Sequence, residues 1–335
     1  MKVLFVSINA EFGQNGVLQF DENNNAVNES WEKASVFPSW QKLADEGLIE
    51  LQTHWVDQQS TPKGLDRLVN IAKDVDLVFQ IPVTHALGIH LPQARQIIEG
   101  GTPIVSFHPD LHLRYDHPAG DRFVMSRVTE GYDTHTITPA QHMMPRLLLE
   151  GVRSYCMPFG IPEYSSKEDC DKKYDVTFIG QKHGIRERVI SQLRGAGIKV
   201  DVFGFFWPEH PDNHHRPSYR EMNSIFNQSK VNLNLRWCSR SEQHGQIKGR
   251  DFELMGCGAF MMATKHFETQ DFNELYVPGQ EFVEVDMIDL ADSIRNYVND
   301  DALRQDMADR AYLKREEHLW TTRLKEFISS EFWLV

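Results

Sequence analysis

Two doubly wound α/β domains in succession are predicted for this chain, on three observations. At 335 residues it is longer than one core usually organises, and roughly 150 residues per domain gives two. Short β-rich apolar runs alternate with longer amphipathic stretches, the pattern of βα units that build a parallel sheet. That alternation lapses once, around 157–173, where Pro158, Gly160, Pro162 and a polar, acidic run show no periodicity, and then it restarts.

The elements follow in order. In the first half the spacing predicts strands at 2–8, 48–56, 75–81, 103–107, 133–137 and 152–157. Helical spacing covers 64–73, 87–99 and 139–150, the last with Pro139 where a first helical turn tolerates it. These make one Rossmann-like domain over 1–157, followed by a linker at 158–173. The second domain, 174–316, is predicted from strands at 174–180, 199–204, 230–235, 258–263 and 281–285. Its helices are expected at 185–196, 218–228, 250–256 and 288–299. The last stretch, 317–335, is helical by pattern and ends Phe-Ile-Ser-Ser-Glu-Phe-Trp-Leu-Val, too apolar for a free tail. We expect it to cross back and pack on the first domain. Ligands of doubly wound sheets bind beyond the carboxyl ends of the strands, so the two domains are expected to face one another across a cleft.

Composition narrows the class. A hydrophobic fraction of 41% and a charged fraction of 25% are ordinary for a folded protein. No apolar run nears the roughly 18 residues of a membrane helix, and the opening Met-Lys-Val-Leu-Phe-Val-Ser-Ile reads as a buried strand. Cys156, Cys170, Cys238 and Cys257 are far apart with no C-x-x-C, so neither a zinc ribbon nor a dithiol motif is expected. Reduced thiols in a cytoplasm, a host's if the chain is phage-encoded, are the simplest reading. A net charge of -13 offers no global attraction to nucleic acid or anionic lipid, although a local basic cleft stays compatible with it.

The most informative stretch runs from Gly245 to Ala263, where a glycine-bearing loop leads through Lys-Gly-Arg-Asp-Phe-Glu into a short helix and a buried strand. Unpaired N–H groups and the positive helix end suit a phosphate. Arg250 and Glu253, three apart, share one face of the first turn. There a guanidinium can fork phosphate oxygens while a carboxylate accepts from two vicinal hydroxyls, which suits a nucleoside diphosphate. An Arg–Glu pair at this spacing is common on solvated helices; the glycines, Lys248 and the strand at 259–263 make this one a loop–helix–strand unit at a sheet edge. A second basic loop, Gly180-Gln-Lys182-His183-Gly-Ile-Arg186, lies between a strand end and a helix start. Lys182 and Arg186 there are placed to stabilise a departing diphosphate, which fixed cations can do without a metal.

The run from Lys248 to Ala263 resembles the C-terminal domain of the CgeB-type (spore-maturation) glycosyltransferases. So do Tyr276-Val-Pro-Gly-Gln-Glu281 and the Asp-Leu-Ala-Asp-Ser-Ile helix after it, Asp175-Val-Thr-Phe-Ile-Gly180 with Arg186, and the segment from Tyr219 to Leu235. The resemblance covers about 174–316 closely and the first 157 residues in outline. It implies the two-domain GT-B architecture, a nucleotide-sugar donor, ribose binding by Glu253 and diphosphate binding by Arg250. The E-x7-E signature of related transferases is absent, because Gly245 stands eight before Glu253. The layout is also similar to the phage DNA β-glucosyltransferases, whose general base is an Asp at the end of a first-domain strand. Asp110, in Ile-Val-Ser-Phe-His-Pro-Asp, stands in the equivalent context.

Hydroxyl attack on an anomeric carbon with inversion needs a group to take the acceptor's proton. His108 and His112 are alternatives to Asp110, and a retaining enzyme would need no such base. The loop Asn9-Ala-Glu-Phe-Gly13-Gln-Asn-Gly16 leaves the first strand at the sheet edge; Gly13 and Gly16 are assigned to sugar or acceptor contacts, and without G-x-G-x-x-G no dinucleotide site is expected. The tract His210-Pro-Asp-Asn-His-His215 lacks the company of a metal motif and is read as a loop near the nucleotide base; 203–207 and Met261-Met262 are read as core. No metal is required, and assistance by Mg²⁺ stays open. The expected activity is transfer of a sugar, from a UDP-sugar, to a hydroxyl acceptor. Two alternatives remain: a phage-type DNA-base glycosyltransferase, which would need cations such as Arg114, Arg122 and Arg127, or a non-catalytic nucleotide-sugar-binding protein on the same scaffold.

Overall fold

A parallel strand covered on both faces must read as an unbroken apolar run, and Val3 to Val6 in β1 (Lys2–Ser7) are all buried. The computed structural model describes residues 1–10, 28–56, 62–82, 88–111, 131–237 and 245–334. The chain divides into two compact units, Met1–Pro158 with Trp320–Val335, and Phe159–Leu319.

In the first unit β1 is joined by β2 (Glu50–Trp55), β3 (Leu77–Gln80), β4 (Ile104–Phe107), β5 (His135–Thr138) and β6 (Ser154–Cys156). They form one parallel sheet in the order β2-β1-β3-β4-β5-β6. The described helices are α1 (Phe37–Asp45), α2 (Pro62–Ala72), α3 (Leu91–Glu99) and α4 (Met144–Leu149). Sequence reading found no counterpart of α1. It emerges from a five-residue π-helical turn, Glu32–Val36, across Pro38, so its apolar positions Val36, Trp40 and Leu43 span a change of helical period.

The second unit holds β7 (Tyr174–Ile179), β8 (Asp201–Phe203), β9 (Asn213–His214), β10 (Ser229–Asn234), β11 (Met261–Thr264) and β12 (Val283–Val285). This sheet too is parallel, ordered β12-β11-β10-β7-β8-β9. Its strand order reverses between β7 and β10, so ligand-binding loops are expected beyond the carboxyl ends of those two strands. Its longer helices are α5 (Arg186–Gly195), α6 (Tyr219–Asn227), α7 (Gly249–Gly256), α8 (Leu290–Val298) and α9 (Asp301–Leu313). Ser218 opens α6 with a capping box: its hydroxyl accepts from Glu221 N at 3.3 Å, and the Glu221 carboxylate accepts from Ser218 N at 2.7 Å.

Two expectations change here. The His210–His215 tract, read as a loop at the nucleotide base, supplies the two-residue edge strand β9. His214 pairs with Asp201 at 2.9 Å and stacks on Phe203, and so short a strand leaves no periodic trace. The stretch read as a linker is fastened to the second unit: Ser166 N and Glu168 N donate to the side-chain carbonyls of Asn223 and Asn227, each at 2.9 Å. Chain exit and return run side by side, with Ile161 N donating to His318 O at 2.7 Å.

Beyond Leu319 the chain rejoins the first unit as α10 (Trp320–Ser329), as its apolar pattern predicts. Trp320 meets Phe107 and Trp31 edge-on with ring centres 5.6 and 5.9 Å away, and Phe327 meets Phe79 at 5.9 Å. Lys325 pairs with Glu46 at 2.7 Å. Among the described residues no helix is long and apolar enough to cross a membrane.

Candidate functional site

At the carboxyl end of β10 the chain passes through Leu235, Arg236 and Trp237, and it returns at Gly245 to enter α7. Gly245 has no alternative there, because a Cβ would sit 2.3 Å from the His266 ring. Trp237 packs edge-on against the same ring at 4.7 Å. The start of α7 is fixed by Asp251, whose carboxylate accepts from Lys248 N at 2.8 Å and from Arg236 Nε at 2.7 Å. Arg236 is wholly buried. Its Nη1 donates to Glu284 at 3.1 Å, and its guanidinium carbon lies 4.5 and 5.2 Å from the ring centres of Phe272 and Phe282. A buried guanidinium with two carboxylates and two aromatic faces thus ties β10, α7 and β12 together.

This brace presents Arg250 and Glu253 one turn apart on α7. Arg250 Nε stands 3.1 Å from Glu253 Oε2, yet the approach is misaligned and neither atom completes a hydrogen bond. Arg250 lies over Phe226 at 5.2 Å, with Nη1 3.1 Å from Met222 Sδ, and keeps 20% of its side chain exposed against 4% for Glu253. Burial pushes the Glu253 carboxyl above the usual carboxylate range; Asp251 adds to this, while Arg250 and Arg216 oppose it. A carboxylate desolvated beside a cation, with one oxygen lacking a hydrogen-bond donor among the described residues, is a group prepared for a ligand's hydroxyls.

Lys248, expected on a phosphate, also meets the backbone of its own loop. Its ammonium donates to Leu235 O at 3.1 Å and Trp237 O at 3.0 Å, satisfying carbonyls where β10 ends. The second basic loop is present after β7. Arg186 folds back, donating from Nη1 to Gln181 O at 2.9 Å and lying 5.6 Å over the Phe178 ring, while Lys182 pairs with Glu187 at 2.9 Å. Gly180 sits between them, with its amide on Phe203 O at 2.8 Å and its carbonyl taking Trp207 Nε1 at 2.8 Å. The structure therefore brings the two basic loops to the carboxyl ends of β7 and β10, the strands flanking the reversal of the second sheet.

In the first unit Asp110 is half-buried just after β4. The neighbouring His108 is buried, with Nε2 3.2 Å from Asp133 Oδ2, and Gln80 donates to the other oxygen of Asp133 at 2.8 Å. Gly13, Gly16 and His112 lie outside the described residues, as do Arg114, Arg122 and Arg127.

Residues 185–329 match the profile of a glycosyl transferase-like family. The likeness is to a glycosyl transferase-like domain and covers less than half of the chain. The match takes in α5, α6 and the whole brace around α7. HepE from Anabaena, solved with UDP and glucose, superposes with a TM-score of 0.62 at 13% identity, over 98% of this chain and 100% of that one. Sucrose-phosphate synthase from Thermosynechococcus elongatus gives 0.64 at 10% identity, covering 99% of each chain. An α-glucosyltransferase solved with UDP-glucose and DNA containing an abasic site gives 0.61 at 12%, covering 98% of each. These likenesses establish the GT-B fold. No curated protein matched the chain as a sequence relative.

Sequence reasoning missed Arg236, Asp251 and Glu284. Asp251 was in plain view between Arg250 and Glu253, but one residue along a helix is a turn of about 100°, which takes it off their face. Its partner lies fifteen positions upstream on another element, where no spacing rule points.

Proposed function

We propose that the chain transfers a sugar from a UDP-sugar to a hydroxyl acceptor, as a CgeB-type glycosyltransferase. The observation that carries this is the buried Glu253 carboxylate, held beside Arg250 with an oxygen that no donor among the described residues satisfies. Glu253 accepts from the ribose diol, which restores the hydrogen bonds its burial has removed. Arg250 forks the diphosphate, and Arg186 with Lys182 neutralises the charge that grows on it as the glycosidic bond breaks. Lys248 acts indirectly, by holding the β10 end against the start of α7. The UDP and glucose bound by HepE, and the UDP-glucose bound by the α-glucosyltransferase, support the choice of donor.

For the acceptor step, Asp110 takes the hydroxyl proton as that oxygen attacks the anomeric carbon. General-base catalysis by a positioned carboxylate contributes about 10²–10⁴-fold. The test is UDP release from a panel of UDP-sugars with wild type and Asp110→Asn. Release that falls by about 10²-fold or more in the variant, with UDP affinity intact, supports the reading. UDP binding with no release by wild type points instead to a binding protein on this scaffold, and release unchanged by Asp110→Asn removes Asp110 from the mechanism.

A further inference from the structure

The loop after β8 contains a backbone conformation that its own contacts do not explain. Phe206 has φ 68, in the left-handed region where a bulky L residue is an outlier. Burial does not compensate for it. The side chain is 45% exposed, whereas Phe205 beside it is buried; the expectation that 203–207 is all core therefore fails at Phe206. Strain of this kind persists where the surroundings enforce it, and it collects at ligand sites.

The surroundings here are the donor-site loop. Gly204 passes so close that a Cβ would lie 2.2 Å from Gly180 O. Lys182 N donates to Phe205 O at 3.0 Å, and Trp207 Nε1 donates to Gly180 O at 2.8 Å. Phe206 is therefore fixed from both sides to the segment bearing Gly180, Lys182 and Arg186. A second line of contacts leads to the ribose end. The Phe205 ring lies 6.0 Å from that of Phe206, and Arg216 lies 5.6 Å over Phe205 and 5.1 Å over Tyr219. Arg216 is also close enough to act on the Glu253 carboxyl.

A nucleoside diphosphate has its phosphates at one side of the ribose and its base at the other. We infer that Phe206 is the platform on which the donor's pyrimidine base stacks, and that the left-handed backbone at this position serves to present its ring to the ligand. The inference rests on the donor reading above and adds the residue that contacts the base. Every nucleobase has a π-face, so an exposed ring held rigidly beside a phosphate loop is suited to this contact.

The test is calorimetric titration with UDP and, separately, inorganic pyrophosphate, on wild type and on Phe206→Ala, Phe206→Gly and Phe206→Tyr. We expect the Ala and Gly variants to weaken UDP by about 5- to 100-fold while pyrophosphate binding is unchanged, and Tyr to retain UDP affinity. Glycine accepts positive φ without strain, so Phe206→Gly should melt no lower than wild type while still losing UDP affinity. A purely structural Phe206 would give the opposite: a lower melting temperature and intact affinity. UDP binding that survives Phe206→Ala and Phe206→Gly overturns this inference alone. A wild type that binds no nucleoside diphosphate overturns the donor reading and this inference with it.

Discussion

Replacing Asp251 by alanine removes the acceptor for Arg236 Nε at 2.7 Å and for Lys248 N at 2.8 Å. Arg236 has no exposed surface, so water cannot take the carboxylate's place. Removing one partner of a buried ion pair costs about 3–5 kcal/mol. Glu284, still 3.1 Å from Nη1, and the two aromatic faces keep the loss at the lower end, about 3 kcal/mol. The orphaned amide at the start of α7 adds about 1 kcal/mol. For a unit of this size each kcal/mol is about 2–4 °C, so the melting temperature should fall by about 8–16 °C. Scanning calorimetry measures it. The Arg236→Met/Asp251→Asn/Glu284→Gln triple variant should recover part of the loss, because no buried charge is then left without its partner. A melting temperature within about 2 °C of wild type for Asp251→Ala refutes the brace.

Three further outcomes follow from other contacts. Lys248→Met should lower stability by about 1–2 kcal/mol, since two carbonyls lose their donor, and should weaken UDP less than Arg250→Ala does, a comparison that thermal melts with and without UDP make directly. In the first unit His54 and His135 are held down to about 4, chiefly by burial and secondarily by Arg67 and Arg153 respectively. The unfolded chain binds these protons first, so their contribution is complete above about 6.5 and disappears as pH falls through about 4, on the order of 2–3 kcal/mol each. His54→Gln and His135→Gln should each flatten melting temperature against pH across that window, and an unchanged slope contradicts the burial account. Asp110→Asn should lower the rate of transfer while leaving UDP affinity at the wild-type value; a parallel loss of both would place Asp110 in donor binding.

Sequence made some of this legible and some not, for identifiable reasons. The buried strands announce themselves because both faces are covered, so Val3 to Val6 carry no polar interruption. The terminal helix was readable for a related reason, since Trp320, Leu324 and Phe327 are too apolar to stay in water. The face shared by Arg250 and Glu253 follows from helical geometry alone. What stayed hidden depends on aim. Lys248 has the expected charge in the expected loop, but only the fold shows its ammonium on the carbonyls of Leu235 and Trp237. Arg236 and Asp251 meet through tertiary packing, and the backbone angle at Phe206 has no signature in a Phe-Phe-Trp run.

A calorimetric titration of UDP into wild type and Glu253→Gln tests most directly whether this carboxylate holds the donor. The variant keeps the shape of a side chain that is already penalised for its charge, so it should fold with at least wild-type stability. Losing the charged acceptor for the ribose diol should weaken UDP by about tenfold or more. UDP bound equally well by the two proteins contradicts the claim that this carboxylate holds the donor.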